Sequence, residues 1–179
     1  MEFVDVPAQS VTSALQNGQI FAGATYEPFV SDAVENGFKI LYFAGNIPGT
    51  LTDVLAFHSN IVQQRPQDIQ NIVKSMIEAK ADYDKNKEQD ISIMASKSGL
   101  SKDQIIEGIN NAKLWDLNYN NQNSMNRTST NTTSLYVSGN YFAKFYSERG
   151  VISEYPNIDD LVDAQFITAL FKAKIPAIK

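Results

Sequence analysis

The chain has 179 residues, with 15 Lys and Arg against 20 Asp and Glu, one His and no Cys, for a formal net charge of −5. Length and a 43% apolar content predict one globular domain with a real core and exclude wholesale disorder. A net acidic chain speaks against electrostatic nucleic-acid binding, and zero Cys excludes disulfide frameworks, thiol catalysis, Cys-ligated zinc and iron–sulfur clusters.

The first 45 residues alternate in pattern. Phe3 to Val6 reads as a short strand. Ala8 to Asn17 reads as a helix with Val11, Ala14 and Leu15 inward and Gly18 as its stop. Ile20 to Thr25 is a small-residue strand, and Tyr26 to Asn36 is a helix stopped by Gly37. Phe38 to Ala44 is continuously apolar, as expected of a strand buried on both faces of a parallel sheet. This β-α-β-α-β rhythm predicts an α/β layered fold with right-handed crossovers. Gly45, Asn46, Pro48 and Gly49 then break the rhythm, and Thr52 to Phe57 reads as a further strand.

Beyond this point the periodicity turns helical. Pro66 suits a first helical turn, and Ile69, Ile72, Val73, Met76 and Tyr83 share one face as far as about Asn86. Lys87 to Ser98 reads as a second helix with Ile91, Met94 and Ala95 inward and Gly99 as its stop. Ser101 and Gln104 form a capping-box pattern that opens a third, with Ile105, Ile106 and Ile109 inward. The Asn/Ser/Thr-rich tract 118–134 lacks core-forming residues and reads as a long surface loop. Leu135, Phe142, Phe145 and Tyr146 form a helical stripe ending at Gly150. Asn157 to Asp160 leads into a last helix with Leu161, Val162, Phe166 and Leu170. The most apolar stretch, Ile40 to Ala44, is far shorter than the roughly 20 residues of a transmembrane helix.

Several stretches in this order carry a resemblance: Ala14 to Ile20, the turn Ala24-Thr25-Tyr26-Glu27-Pro28-Phe29, Gly37 to Leu41, Ser59 to Pro66, Ser98 to Ser101, and Gly150 to Ile152 followed by Ile158 to Asp163. Together they resemble the second half of an ABC-transporter solute-binding protein of the sulfonate/nitrate/taurine and pyrimidine-precursor (NMT1/THI5-like) family. The resemblance implies a partial type II periplasmic-binding-protein-like fold. Residues 1–46 would be the β/α part of a second lobe, and 47–179 a mostly helical C-terminal return segment. It implies a missing N-terminal lobe, or a second copy of the chain in its stead. Met1, Glu2 and Asp5 do not look like a signal peptide, which taken alone points to the cytoplasm. The abrupt start reads instead as that of a fragment, and the resemblance implies an extracytoplasmic, periplasmic or lipoprotein location for the full-length protein.

In an open α/β sheet, ligands bind beyond the carboxyl ends of the strands, so Thr25, Tyr26 and Glu27 are the candidate ligand-binding residues. Thr25 is placed as an N-cap that turns backbone N–H groups toward a crevice, where they suit a carboxylate, sulfonate or phosphate. Tyr26 offers an aromatic wall with a hydroxyl. Glu27 accepts from an amine or aminopyrimidine and repels an anion. The plainer reading is that Thr25 caps, Tyr26 packs and Glu27 complements the helix dipole. Gly45, Asn46 and Gly49 are a candidate hinge, where the family's chain crosses between lobes, or an ordinary turn.

Other features carry less. His58, the one histidine, has no nearby Ser or Cys nucleophile and reads as a surface or packed residue. Asp159, Asp160 and Asp163 read as helix-start capping rather than a metal site. Asn126-Arg127-Thr128 and Asn131-Thr132-Thr133 match the glycosylation sequon in a tract where chance matches are expected, and the flanking Trp115, Tyr119, Tyr136 and Tyr141 either pack the loop against the domain, the default, or meet a partner.

The expected function is binding of a small molecule (amine-bearing, pyrimidine-like or sulfonate-like) for delivery to an ABC permease, with no cofactor and no catalysis. A rival is a ligand-sensing or interaction domain of a signalling receptor. Ranked lower is an enzyme making the thiamine pyrimidine precursor, whose chemistry in the family depends on His and Cys.

Overall fold

The computed structural model describes residues 2–173. It is 60% helical, and no strand is present among the described residues, so the predicted α/β fold with β-α-β units is replaced by a helical one. The four predicted strands are extended or turning segments that form no ladder among the described residues. Phe3 is 90%, Phe21 99% and Leu41 86% exposed. Apolar character and β-propensity nominate a strand, but ladder pairing makes one, and a short apolar run carries no information about its pairing partner.

The chain divides into two compact units. The first comprises Met1–Phe43 and Ile91–Lys113. It holds α1 (Val11–Gln16), α2 (Phe29–Glu35) and α5 (Lys102–Ala112). A 3-10 turn, Ala8–Ser10, leads directly into α1, matching the predicted helix start. Packing of α1 on α2 buries Val11, Thr12 and Ala14 from one helix and Ser31 and Ala33 from the other. The Gln16 amide donates to Asn36 Oδ1 at 2.8 Å and ties the two C-terminal ends. Both helices stop where the sequence placed their glycines, at Gly18 and Gly37, each with positive φ.

The second unit comprises Ala44–Asp90 and Leu114–Lys179. A 3-10 turn, Ala44–Asn46, precedes α3 (Ser59–Gln64). The long helix α4 (Pro66–Ser98) begins on the predicted proline and is interrupted at Asn86, whose φ of −117° and ψ of 31° are non-helical. Residues 91–98 of α4 belong to the first unit. The sequence divides its two helices at the same residue. The Asn86 amide donates to Asp82 Oδ1 at 2.8 Å, the kind of local side-chain bond that competes with helix propagation.

The tract 118–134 departs from the expected surface loop. α6 (Leu117–Tyr119) runs into a π-helical turn, Asn120–Ser124, and both pack against α9 (Gln165–Lys172). Ser124 is buried, and Ser134 is 0% exposed with its hydroxyl donating to the Asn126 carbonyl at 2.8 Å. A polar tract lines a core when each buried polar atom has a partner, and no buried side-chain N or O among the described residues lacks one.

Next, α7 (Leu135–Glu148) packs on α8 (Ile158–Leu161). The buried face of α7 is Tyr136, Ser138 and Ala143, and of the predicted stripe Leu135 and Phe142 are half-buried while Phe145 and Tyr146 are exposed. Gly139 explains the choice of face. A Cβ there would lie 2.9 Å from Ile158 Cγ2, so the missing side chain admits Ile158 to the cluster with Tyr136, Ala143 and Val162. From α9, Phe166, Ile167 and Leu170 are buried, and the Phe166 carbonyl accepts from Gln70 of α4 at 3.2 Å. Ile69, also on α4, is 1% exposed. Among the described residues no helix is long and apolar enough to cross a membrane.

Candidate functional site

With no sheet, Thr25, Tyr26 and Glu27 do not stand at a strand edge. They form the turn into α2, next to a cis Glu27–Pro28 peptide. α2 starts at Phe29, later than the predicted Tyr26, and Pro28 occupies its N-cap without a side-chain cap bond. Thr25 therefore does not cap. Its hydroxyl donates to the Ala8 carbonyl at 3.2 Å and fastens the turn to the entry of α1.

Glu27 serves the helix start instead. Its Oε2 accepts from the Ser31 backbone N–H at 3.2 Å and from the Ser31 hydroxyl at 2.8 Å. An unpaired first-turn N–H is the donor that a carboxylate at a helix start satisfies best, through both the bond and the dipole. Oε1 accepts from Asn111 Nδ2 of α5 at 2.9 Å. Three donors from the same unit thus hold a half-buried carboxylate, and Ser31 beneath it is buried. The plainer reading of Glu27 as a helix-start residue describes these bonds well, but it does not account for Asn111.

Tyr26 is 65% exposed, and its ring meets Phe29 edge-on at 5.7 Å. An exposed, partly supported ring one residue from an anchored carboxylate combines an apolar platform with a negative acceptor.

Asn111 is the member of this cluster that sequence reasoning missed. It stands 84 residues from Glu27 on a helix whose legible signal is its isoleucines, and one amide among several nearby Asn residues has no distinguishing pattern.

The remaining candidates lie outside this cluster. Gly45 and Asn46 lie in the 3-10 turn after Phe43, where the first unit gives way to the second. Gly49 has φ +86° and sits against Thr132, whose hydroxyl donates to the Pro48 carbonyl at 2.7 Å. His58 is exposed at the N-cap of α3. Asp159 pairs with Arg127, Asp160 accepts from Asn157 at 2.9 Å, and Asp163 accepts from the Gln165 backbone at 3.0 Å. The side-chain cap of α8 is Asn157, with Asp159 and Asp160 in the first turn behind it, and no group of acidic and His residues able to hold a metal occurs among the described residues.

The profile of the NMT1-like family matches residues 1–96, just over half of the chain and the whole of the turn Thr25 to Glu27. No curated protein and no solved structure matches the chain.

Proposed function

Because the chain belongs to the NMT1-like family, we propose that it binds a small-molecule solute at the turn Thr25-Tyr26-Glu27 and serves import through an ABC permease outside the cytoplasm. The family consists mostly of solute-binding proteins and is typically periplasmic, which supports the role and the location. The observation that carries the reading is the Glu27 carboxylate, oriented by Ser31 and Asn111 beside the exposed Tyr26 ring. A carboxylate already fixed in place loses little freedom on meeting a ligand, so its interaction is not spent on ordering the side chain.

In this reading Tyr26 covers an apolar or aromatic part of the solute and Glu27 accepts from its nitrogen. Thr25 holds the turn rather than touching the solute, because its hydroxyl donates to Ala8. The carboxylate disfavours naked sulfonates and nitrate and favours amine-bearing and aminopyrimidine compounds. Gly45, Asn46 and Gly49 are proposed as the hinge on the ground of their place just after Phe43.

A thermal-shift screen tests this reading. Amines, aminopyrimidines, amino acids, sulfonates, nitrate and bicarbonate are each added to the folded chain. A ligand that binds only the folded state raises the melting temperature by linkage. The expected result is a shift with amine-bearing compounds and none with the simple anions. Shifts confined to sulfonates or nitrate, or none with any class, overturn it.

A further inference from the structure

Building on the ligand-binding reading of Glu27, we propose that the Ser31 hydroxyl makes this site select ligands that donate through one nitrogen, an amine or exocyclic amino group, and reject forked guanidinium or amidinium donors. A carboxylate offers about four acceptor directions, two on each oxygen. Both directions of Oε2 are taken by Ser31, one by its N–H at 3.2 Å and one by its hydroxyl at 2.8 Å. On Oε1, Asn111 Nδ2 at 2.9 Å takes one. A single direction remains, on Oε1.

A guanidinium recognises a carboxylate with two parallel N–H bonds, one to each oxygen. Here the second bond has no acceptor. Ser31 is buried in the packing of α1 on α2, which holds its hydroxyl in place against Oε2. A forked donor that takes only the bond to Oε1 leaves one N–H without its partner, the situation from which binding sites draw their strongest discrimination. An amine needs only the one direction that is free.

Benzylammonium and benzylguanidinium form a matched pair for the test. They share charge and aromatic ring and differ in the donor fork. Their affinities are measured by calorimetric titration of the wild-type chain and of Ser31→Ala, Ser31→Cys and Asn111→Ala, with folding of each variant checked by circular dichroism. In the wild type, benzylammonium binds at least about tenfold more tightly than benzylguanidinium. Ser31→Ala keeps the backbone bond but opens a direction on Oε2, so the ratio falls to within about threefold. Ser31→Cys, with a weak donor in the same place, lies between. Asn111→Ala opens a direction on Oε1 only and keeps the wild-type preference. A wild-type ratio near one, or a ratio unchanged by both Ser31 variants, overturns the selectivity and leaves the binding reading standing. If neither cation binds the wild type or any variant, the binding reading fails and the selectivity fails with it.

Discussion

A Cβ added at Gly49 would lie 2.0 Å from the carbonyl oxygen of Thr132 and 2.8 Å from the backbone nitrogen of Thr133. Backbone cannot give way as a flexible side chain can, and the φ of +86° is itself costly for any other residue. Gly49→Ala is therefore expected to destabilise the chain by roughly 2–3 kcal/mol, read as a lower urea midpoint at unchanged m-value. An unchanged midpoint contradicts the packing of this loop against 132–133. At the same scale the turn Thr25 to Glu27 separates three roles that the sequence placed together: an anchor to Ala8, an exposed ring and a fixed carboxylate. Local signals single out these residue types. They do not say which one holds the turn and which faces outward, because that depends on Ala8 and Asn111, distant in sequence.

At the level of elements, α5 has the most locally encoded start. Ser101 Oγ accepts from the Gln104 N–H at 3.2 Å, and the Gln104 side chain accepts from the Ser101 N–H at 2.9 Å. Ser101→Ala removes the first of these bonds and is expected to cost about 1 kcal/mol. Amide exchange in the first turn of α5 should accelerate while that of α7 stays unchanged; equal exchange in wild type and variant contradicts the cap. The same locality made much of the helical plan legible. Glycine stops, the proline at the start of α4, its break at Asn86 and the capping box are all decided within four or five residues of themselves. The absence of strands among the described residues was not legible, because whether an apolar run finds a ladder partner is decided elsewhere in the chain. The tract 118–134 and the face of α7 misled for a related reason. Ser124 is buried in the turn that packs against α9, Ser134 is buried with its hydroxyl bonded to the Asn126 carbonyl, and the face α7 buries follows from the gap at Gly139, none of which hydrophobic periodicity reports.

Across the whole molecule, the binding reading draws on two independent observations that meet in one turn: the family match over residues 1–96 and the held carboxylate of Glu27 within it. Binding at one turn stabilises the entire folded chain by mass action, so the carboxylate's contribution is measurable without knowledge of the natural solute. The decisive measurement is thermal denaturation of the wild-type chain and Glu27→Gln, each with and without benzylammonium. Gln preserves the shape of the side chain and an oxygen for Ser31 but removes the charge. At a ligand concentration about a hundredfold above the wild-type Kd, the wild-type melting temperature should rise by about 5–10 °C. The variant should keep less than about a third of that rise, because the charge-assisted bond is lost. Equal rises in both proteins, or no rise in either, would contradict a ligand site at Glu27.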